Sequence, residues 1–266
     1  MKNLDGRTFI ITGATKGIGR VIALEFLKVG ASVVISGRDQ NKLNSVKHEF
    51  EQMGFSPHSV PADLTNPIEC KRLVDSSVTH FGRIDGLVNN AGIPARGKFE
   101  DIDSSIAAMV IHGNLLTAMN CTKEALPELM KTRGSVIFLS SVAAIHGIPN
   151  AAPYSAAKKG LEKFAQSLRI EMHKHHVHIG IIRPGLVDPP PDKKVLRADG
   201  TFQPVTHKGH QTQESVAKAV LRMINKRRAR ITMTPIGKFL SIVNWLAPWI
   251  VRFYLTKTQN SPRYEG

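Results

Sequence analysis

Cysteine is scarce in this chain of 266 residues, which contains only Cys70 and Cys121. The two residues form no CxxC motif, and we expect both to be small hydrophobic residues of the core. The first residues run straight into a strand-like segment, so we expect no secretory leader. Together these features predict a cytoplasmic, reducing location.

Acidic residues are also few, 21 against 36 lysines and arginines, which gives a formal net charge of +15. A basic balance is typical of proteins that bind nucleic acid, anionic membrane or a polyanionic cofactor. The basic residues are dispersed, and the densest run, at 226–230, has no aromatic–basic recognition motif beside it. We therefore expect no nucleic-acid partner, whereas a phosphate-rich ligand and a membrane surface stay open.

The chain lacks internal repeats, low-complexity tracts and linkers, so we predict one domain over residues 1–266. Apolar β-branched runs alternate with segments of helical periodicity, which predicts βαβ crossovers and a mostly parallel sheet. Strands that are apolar on both faces require helices on both sides. The predicted fold is α/β, a single-domain Rossmann-like doubly wound parallel sheet with helices on both faces. Its predicted strands lie within 8–12, 31–38, 55–64, 84–92, 134–141 and 178–185.

Two segments interrupt this alternation. Residues 186–213 are polar and rich in Pro and Gly, which predicts a long loop that acts as a lid over the substrate. Residues 237–255 are apolar almost all the way round but contain Asn244, Pro248 and Arg252. This segment is short for a membrane span of ~20 residues, so we expect a docked pair of C-terminal helices.

The sequence TGATKGIG, residues 12–19, lies between the first predicted strand and the first helix. Glycines at this place allow a tight turn and a close approach of a pyrophosphate to the helix N-terminus. The spacing is neither GxGxxG nor a Walker loop. A nucleotide site is therefore predicted, and a turn that merely needs small residues is the alternative.

The second strand ends in ISGRD, where an acidic residue would bind the ribose hydroxyls of NAD. Gly37 occupies that place and Arg38 follows, while Lys16 adds a cation in the glycine turn. Two cations near the ribose favour the 2′-phosphate of NADP(H), unless both are ordinary solvated charges. Asp39 is expected beyond the strand end, and Asp63 is placed to meet the adenine.

Further motifs follow along the chain, namely NNAG at 89–92, Asn114, SS at 140–141, YSAAK at 154–158 and RPG at 183–185. With TGATKGIG, they resemble the short-chain dehydrogenase/reductase family over residues 5 to about 190. The resemblance implies an oxidoreductase that transfers a hydride between NADP(H) and a carbonyl compound or secondary alcohol. Lys16 and Arg38 resemble the NADP(H)-preferring members.

By position, the resemblance assigns roles in catalysis to four residues. Tyr154 matches the catalytic acid/base, and Ser141 matches the serine that holds the substrate oxygen. Lys158 matches the lysine that contacts the nicotinamide ribose and lowers the pKa of the phenol. Asn114 matches the asparagine that anchors a water-linked proton relay, and Asn89 matches a residue that supports the central strand and the adenosine side.

The resemblance also implies a set of cofactor-binding residues. Pro184 and Gly185 match the turn beside the nicotinamide. The family commonly has a threonine shortly after this turn, where this chain has Pro189, so Asp188 or a backbone group is expected to replace that contact. The predicted set is Gly13, Thr15, Lys16, Gly17, Ile18, Gly19, Arg38, Asp63, Leu64, Asn90, Ala91, Gly92, Tyr154, Lys158, Pro184, Gly185 and Val187.

Elementary chemistry supports the pairing of Tyr154 with Lys158. Hydride transfer to a carbonyl leaves negative charge on oxygen, which needs a proton donor in place. A free tyrosine has a pKa of about 10, and a nearby ammonium favours the phenolate. Residues four apart share a helix face, so the spacing predicts that the two side chains act together.

The residues expected around the substrate are mostly small and apolar. Segments 93–99, 142–153 and 186–213 are predicted to line the pocket, with His146 and Asn150 as its obvious polar groups. We therefore expect an apolar, lipid-, acyl- or steroid-like substrate. The alternative is an NADP(H)-binding scaffold or sensor without catalysis, against which the four intact catalytic residues argue.

The remaining features predict no metal site. Trp245 and Trp249 are expected to mark a helix face that packs on the pocket or a second subunit, with membrane contact as the alternative. The resemblance implies a homodimer or homotetramer formed through the helices around 105–130 and 154–172. A group of histidines lacks carboxylate partners at metal-site spacing and comprises His173, His175, His176 and His178.

Overall fold

The central sheet is built from apolar strands that are buried on both faces. The computed structural model describes residues 3–205 and 208–259. Within these ranges, the strands are β1 (Thr8–Thr12), β2 (Ser32–Gly37), β3 (His58–Pro61), β4 (Gly86–Asn89), β5 (Ser135–Leu139), β6 (His178–Arg183), β7 (Lys194–Leu196), β8 (Phe202–Pro204) and β9 (Arg230–Thr232). Seven of them form one parallel sheet in the order β3-β2-β1-β4-β5-β6-β9. The predicted doubly wound Rossmann-like fold is thereby confirmed.

Helices cover both faces of this sheet. The helices of the described ranges are α1 (Gly17–Lys28), α2 (Gln40–Gln52), α3 (Pro67–Phe81), α4 (Ser104–Ile111), α5 (Thr117–Thr132), α6 (Ala152–Glu171), α7 (Gln213–Lys226), α8 (Pro235–Leu246) and α9 (Pro248–Thr258). Alternate residues of β1 and β2 enter two separate cores. Ile11 and Ile35 pack with α1, α2 and α7, whereas Ile10 and Val34 pack with α3, α5 and α6.

Local side-chain chemistry sets both ends of α3. The Asn66 side chain accepts a hydrogen bond from the backbone N–H of Ile68 at the start of the helix, and Pro67 occupies its first turn. Gly82 follows the last turn in the left-handed conformation, with φ of 73°. These residues explain why α3 begins at Pro67 and ends at Phe81.

Two parts of the chain differ from the prediction. The segment 186–213 is not a plain loop, because β7 and β8 pair within it as an antiparallel hairpin. The backbone bond from Leu196 N to Pro94 O, 2.9 Å, joins this hairpin to the body of the protein. Strand β9, which had not been predicted, pairs with β6 at the edge of the sheet.

The apolar C-terminal segment forms the two short helices α8 and α9, as expected, but these helices are barely docked. Gly237 is the only buried residue of α8 and Val251 the only one of α9. Trp245 and Trp249 are 81% and 64% exposed, so the expectation that their face packs on the pocket of this chain is wrong. No helix in the described ranges is long and apolar enough to cross a membrane.

The cysteines and the buried histidine do not line the cavity at the carboxyl edge of the sheet. Cys70 and Cys121 are buried between α3 and α5, with their sulfur atoms 3.5 Å apart. His178 is buried, and its Nε2 donates to the carbonyl of Arg228 at 2.9 Å. Burial is the main reason that the pKa of His178 falls to about 4. Among the described residues, no group of three potential ligands could hold a metal ion.

Candidate active site

One cavity of about 560 Å³ lies at the carboxyl edge of the sheet. The strand order reverses between β1 and β4 at this edge, which is where ligands bind in doubly wound sheets. The four predicted catalytic residues line the cavity, and so does every predicted cofactor-binding residue except Gly19. The structure therefore gathers the separate sequence motifs around one space.

The glycine turn forms the floor of this cavity. Gly13 and Gly17 have φ of 64° and 57°, which L side chains rarely adopt, and a side-chain carbon at Gly13 would lie 2.9 Å from Ala91 Cα. Gly19 packs beneath the turn, where a side chain would collide with the Gly13 carbonyl and the Asn90 amide. Helix α1 begins at Gly17 without a side-chain cap, so its first N–H groups are available to a phosphate.

Thr12 is a site-shaping residue that the sequence interpretation missed. Its hydroxyl accepts hydrogen bonds from the backbone N–H groups of Asn90 and Ala91, at 3.0 and 3.1 Å. The Asn90 side chain in turn donates to the carbonyls of Thr12 and Gly13. Thr12 thus joins the end of β1 to the residues that follow β4. Its position directly before the first glycine of the motif is the sequence signal that could have indicated this role.

Asn89 takes a different place from its neighbour. Its amide donates to the hydroxyl of Thr122 at 3.0 Å, so it supports β4 against α5, as predicted. The side chain is buried on that side of the sheet and does not line the cavity. Asn89 therefore does not contact the space in which the adenosine is expected.

The end of the cavity at which the adenosine is expected is lined by Lys16, Gly37, Arg38 and Asp63. Backbone and side-chain hydrogen bonds from Thr65 lower the pKa of Asp63, and the charge of Arg38 acts in the same direction. The Lys16 ammonium donates to the Asp192 carboxylate at 2.7 Å. This end of the cavity therefore holds two cations, as the sequence predicted, but one of them already has a carboxylate partner.

Asp39, the residue that could have contacted the ribose, is used elsewhere. Its carboxylate accepts a hydrogen bond from the backbone N–H of Lys42 at 3.1 Å and caps α2. This bond lowers the pKa of Asp39. The side chain does not line the cavity, in agreement with its expected place beyond the end of β2.

Tyr154 and Ser141 form the centre of the site. Burial raises the pKa of Tyr154, while a hydrogen bond with Ser141 and the charge of Arg96 act in the opposite direction. The Lys158 ammonium lies 5.7 Å from the centre of the Tyr154 ring. Burial is the largest of these effects, so the pKa of Tyr154 lies above its ordinary value, and the lowering by Lys158 that the resemblance implies stays a prediction.

Lys158 is a buried residue of the cavity wall. Its ammonium donates to the carbonyl of Leu139 at 3.0 Å, and the residue is only 5% exposed. Burial, followed by the charge of Lys193, lowers the pKa of Lys158 to about 8. The cation is consequently positioned by strand β5 rather than by an acidic partner.

Asn114 occupies a π-helical turn, His112–Leu116, between α4 and α5. Its Nδ2 donates to the carbonyls of Ile93 and Val110, at 2.8 and 2.9 Å. Its Oδ1 is buried and accepts no hydrogen bond within the described part of the chain. A carbon added at Gly92 would lie 2.6 Å from this oxygen and 3.5 Å from Lys158 Nζ, so the orphaned acceptor faces the lysine across Gly92.

The segment after β6 lines the end of the cavity at which the nicotinamide is expected. Pro184, Gly185 and Pro189 line the cavity, and Gln211 Oε1 accepts a hydrogen bond from Gly185 N at 2.7 Å. Asp188 also lines the cavity, and its carboxylate accepts a hydrogen bond from Gly209 N at 2.8 Å. The replacement of the threonine contact by Asp188 or by a backbone group stays a prediction.

The polar groups of the substrate side differ from those expected. His146 and Asn150 do not line the cavity. Arg96 and Lys193 do, although the sequence interpretation named neither. Both are brought there by the docking of β7, in which Arg96 N donates to Leu196 O at 2.9 Å, and such long-range contacts leave no local signal in the sequence.

Comparison with known proteins agrees with this geometry. The family described as short chain dehydrogenase matches residues 7–199, and the chain belongs to this family. It is 38% identical over 190 residues to 11-beta-hydroxysteroid dehydrogenase 1A of Arabidopsis thaliana, which covers 70% of this chain and 54% of that protein. The chain thus spans about half the length of this relative.

Two solved structures share the fold. An alcohol dehydrogenase from Thermococcus sibiricus complexed with 5-hydroxy-NADP has a TM-score of 0.75 and 24% identity, covering 85% of this chain and 95% of that one. A short chain dehydrogenase/reductase from Burkholderia phymatum in complex with NAD has a TM-score of 0.82 and 20% identity, covering 94% and 96%. The chain accordingly belongs to the short chain dehydrogenase family by sequence and shares its fold with one structure complexed with 5-hydroxy-NADP and one complexed with NAD.

Proposed function

We propose that this protein is an NADP(H)-dependent oxidoreductase that interconverts an apolar carbonyl compound and its secondary alcohol, with Tyr154 as the acid/base. One observation carries the proposal: Ser141, Tyr154, Lys158 and Asn114 meet in the wall of a cavity whose floor is the glycine turn. A scaffold without catalysis would not need this set of four groups in one place.

The residues fit a dinucleotide. Gly13 lets the turn pack tightly against Ala91 and Asn90, and the uncapped start of α1 offers N–H groups to phosphate. The Asn114 Oδ1 atom offers an acceptor without a partner among the described residues. At the adenosine end, Lys16 and Arg38 support NADP(H) over NAD(H), because they suit a 2′-phosphate and no cavity-lining acid takes the place of Gly37.

When bound, the nicotinamide supplies or accepts the hydride. The hydroxyls of Ser141 and Tyr154 would hold the substrate oxygen. The phenol of Tyr154 would donate its proton to the carbonyl oxygen during reduction and take a proton from the alcohol in the reverse reaction. The Lys158 ammonium would return a proton to the phenol after each turnover, and Asn114 Oδ1 would accept a hydrogen bond from a water that reprotonates Lys158.

The walls near Tyr154 favour an apolar substrate. They are lined by Pro94, Ala143, Ile148, Val195 and Val205. Arg96 adds one cation beside this apolar surface. A ketone on a lipid-, acyl- or steroid-like body with a further oxygen would match both features.

The proposal is tested by following NADPH oxidation with carbonyl compounds of increasing chain length, in parallel with NADH. Turnover by the wild type that is lost in Tyr154→Phe, with NADPH binding retained, is the expected result. Tight NADPH binding without turnover across the panel would favour a sensor, and full activity of Tyr154→Phe would show that Tyr154 is not the acid/base.

A second proposal concerns the surface of α8 and α9. We infer that this surface contacts an anionic membrane. Its exposed side chains include Phe239, Trp245, Leu246, Trp249 and Phe253, and the two helices contain three cations and no acidic residue. Aromatic side chains and cations on one exposed face are typical of helices that lie in a membrane interface.

The position of α8 gives this surface a connection with the active site. The Asn244 amide donates to the carbonyl of Ile145 at 3.1 Å. Ile145 directly follows the short 3₁₀ helix Val142–Ala144, which contributes to the cavity wall. A membrane contact at α8 would therefore place the cavity close to a reservoir of apolar substrates.

A further inference from the structure

Lys193 is a cation of the cavity wall that neither the motifs nor the proposed chemistry uses. It lies directly before β7, and its side chain lines the same space as Lys16 and Lys158. Within residues 3–205 and 208–259, its ammonium makes no hydrogen bond or ion pair. The Asp192 carboxylate acts on Lys193 through space, but it already accepts a hydrogen bond from Lys16 Nζ at 2.7 Å. Partial burial of the Lys193 ammonium costs free energy, which a bound anion would offset.

The Lys193 ammonium interacts electrostatically with two other lysines of the cavity wall, Lys16 and Lys158. Burial lowers the pKa of Lys193, and the charge of Lys16 acts in the same direction. Lys193 in turn contributes to the low pKa of Lys158. The ammonium is therefore within electrostatic range of the lysine at the adenosine end and of the lysine at the catalytic end.

The backbone around Lys193 is fixed over the glycine turn. A side-chain carbon at Gly17 would lie 3.5 Å from the ring of Pro190, so this proline packs against the start of α1. Lys193 N donates to Pro190 O at 2.9 Å, and Lys16 Nζ donates to Asp192 O at 3.0 Å. The turn 190–193 thus presents Lys193 beside the N-terminus of α1, where the motif and the helix dipole favour a phosphate.

We propose that Lys193 binds the diphosphate of the dinucleotide, so that the 186–213 segment contributes directly to cofactor affinity. This inference depends on the proposed dinucleotide site. A diphosphate lies between the two riboses of the cofactor, and the turn that carries Lys193 packs on the start of α1, where the glycine motif favours a phosphate. The diphosphate is common to NAD(H) and NADP(H), so Lys193 would stabilise both, whereas Lys16 and Arg38 would act on the 2′-phosphate.

The experiment compares Lys193→Gln with Lys194→Gln, a matched control at the adjacent residue, which is exposed and does not line the cavity. Dissociation constants for NADPH and NADH are measured by the fluorescence of the bound reduced nicotinamide. Loss of one charge-assisted contact should raise both constants for Lys193→Gln by about tenfold. Lys194→Gln should stay within about twofold of the wild type, because its charge is screened by solvent.

Two further variants keep the test decisive. Lys193→Arg retains the charge and should restore much of the affinity, and Lys193→Met should lose it even if Lys193→Gln folds poorly. Wild-type affinity for both cofactors in Lys193→Gln or Lys193→Met would overturn the inference. A loss confined to NADPH would place the contact at the 2′-phosphate and also overturn it. If the wild type binds neither dinucleotide, the proposed function itself is wrong.

Discussion

Glu162 and Arg183 form a buried ion pair that joins α6 to the end of β6. Arg183 Nε donates to Glu162 Oε1 at 2.6 Å, and Arg183 Nη2 donates to Glu162 Oε2. Ser140 Oγ also donates to Glu162 Oε1, at 2.9 Å. All three groups of this cluster lie close in sequence to a candidate site residue. Ser140 directly precedes Ser141, and Arg183 directly precedes Pro184. Glu162 lies one helical turn after Lys158. The pair therefore fixes the relative positions of the three elements that carry the catalytic groups.

Removal of Glu162 should destabilise the protein strongly. The two side chains are 1% and 6% exposed, so Glu162→Ala would leave the Arg183 charge buried without a partner. Breaking a buried pair in this way costs about 3–5 kcal/mol, to be measured by urea unfolding. The double variant Glu162→Leu/Arg183→Met should recover part of the loss, and a cost below about 1 kcal/mol for Glu162→Ala would contradict the role of the pair.

Lys158 should make stability depend on pH at the alkaline side. Its pKa falls from 10.5 to about 8 in the folded protein. Between these pH values the unfolded chain keeps a proton that the folded protein has lost, so the free energy of unfolding should rise with pH across that window. The rise attributable to this residue is roughly 3 kcal/mol.

Lys158→Met is the matching variant. It removes the cost of burying an ammonium, so its unfolding free energy at pH 7 should exceed that of the wild type, while turnover is lost. Urea titrations at pH 7, 8, 9 and 10 would compare the two proteins. Parallel pH curves for wild type and variant would show that residue 158 is not the group that titrates.

Arg38 should determine the choice between the two cofactors. It is an exposed residue of the cavity wall whose charge reaches Asp63, so its replacement should leave the fold intact. Arg38→Gln should raise KM for NADPH by about tenfold and leave KM for NADH nearly unchanged. Lys47→Gln, at a half-buried residue of α2 that does not line the cavity, is the control for a general loss of charge. An equal change for both cofactors would argue against a 2′-phosphate contact.

The membrane proposal can be tested without disturbing the core. Trp245→Ser/Trp249→Ser removes exposed aromatic area from α8 and α9, and Ile68→Ser/Ile170→Ser removes exposed apolar area elsewhere. The wild type and the second variant should float with vesicles that contain phosphatidylserine, an anionic lipid of the cytoplasmic leaflet. Loss of binding is expected for the first variant and at high salt; equal flotation of both variants would refute the assignment of this surface.

The sequence predicted the parts of the fold that have strong local signals. Strands such as β1 and β5 are apolar runs buried on both faces, and α3 carries its own caps. Strand β9 was missed because it is a three-residue edge strand, Arg230–Thr232, with an exposed first residue and one partner. The hairpin β7–β8 was missed because its position depends on backbone bonds to the 94–96 segment.

The same distinction applies to the candidate site. The motif residues at the ends of parallel strands converge because the topology brings strand ends to one edge, so their grouping could be predicted. Arg96 and Lys193 enter the cavity only through docking of the 186–213 segment, and the high pKa of Tyr154 depends on burial in the folded state. Neither burial nor docking can be read from the spacing of residues.

The π-helical turn at Asn114 accommodates one additional residue within a continuous stretch of helix. A π turn contains one residue more than the α-helical turn it replaces. Deleting a single residue within the turn should therefore give a regular helix whose later side chains keep their directions, so that the buried face of α5 still meets the sheet. A deletion in the middle of α5 would instead rotate every later side chain by about 100°. The chain should consequently accept a one-residue deletion at this turn more readily than a deletion within α5.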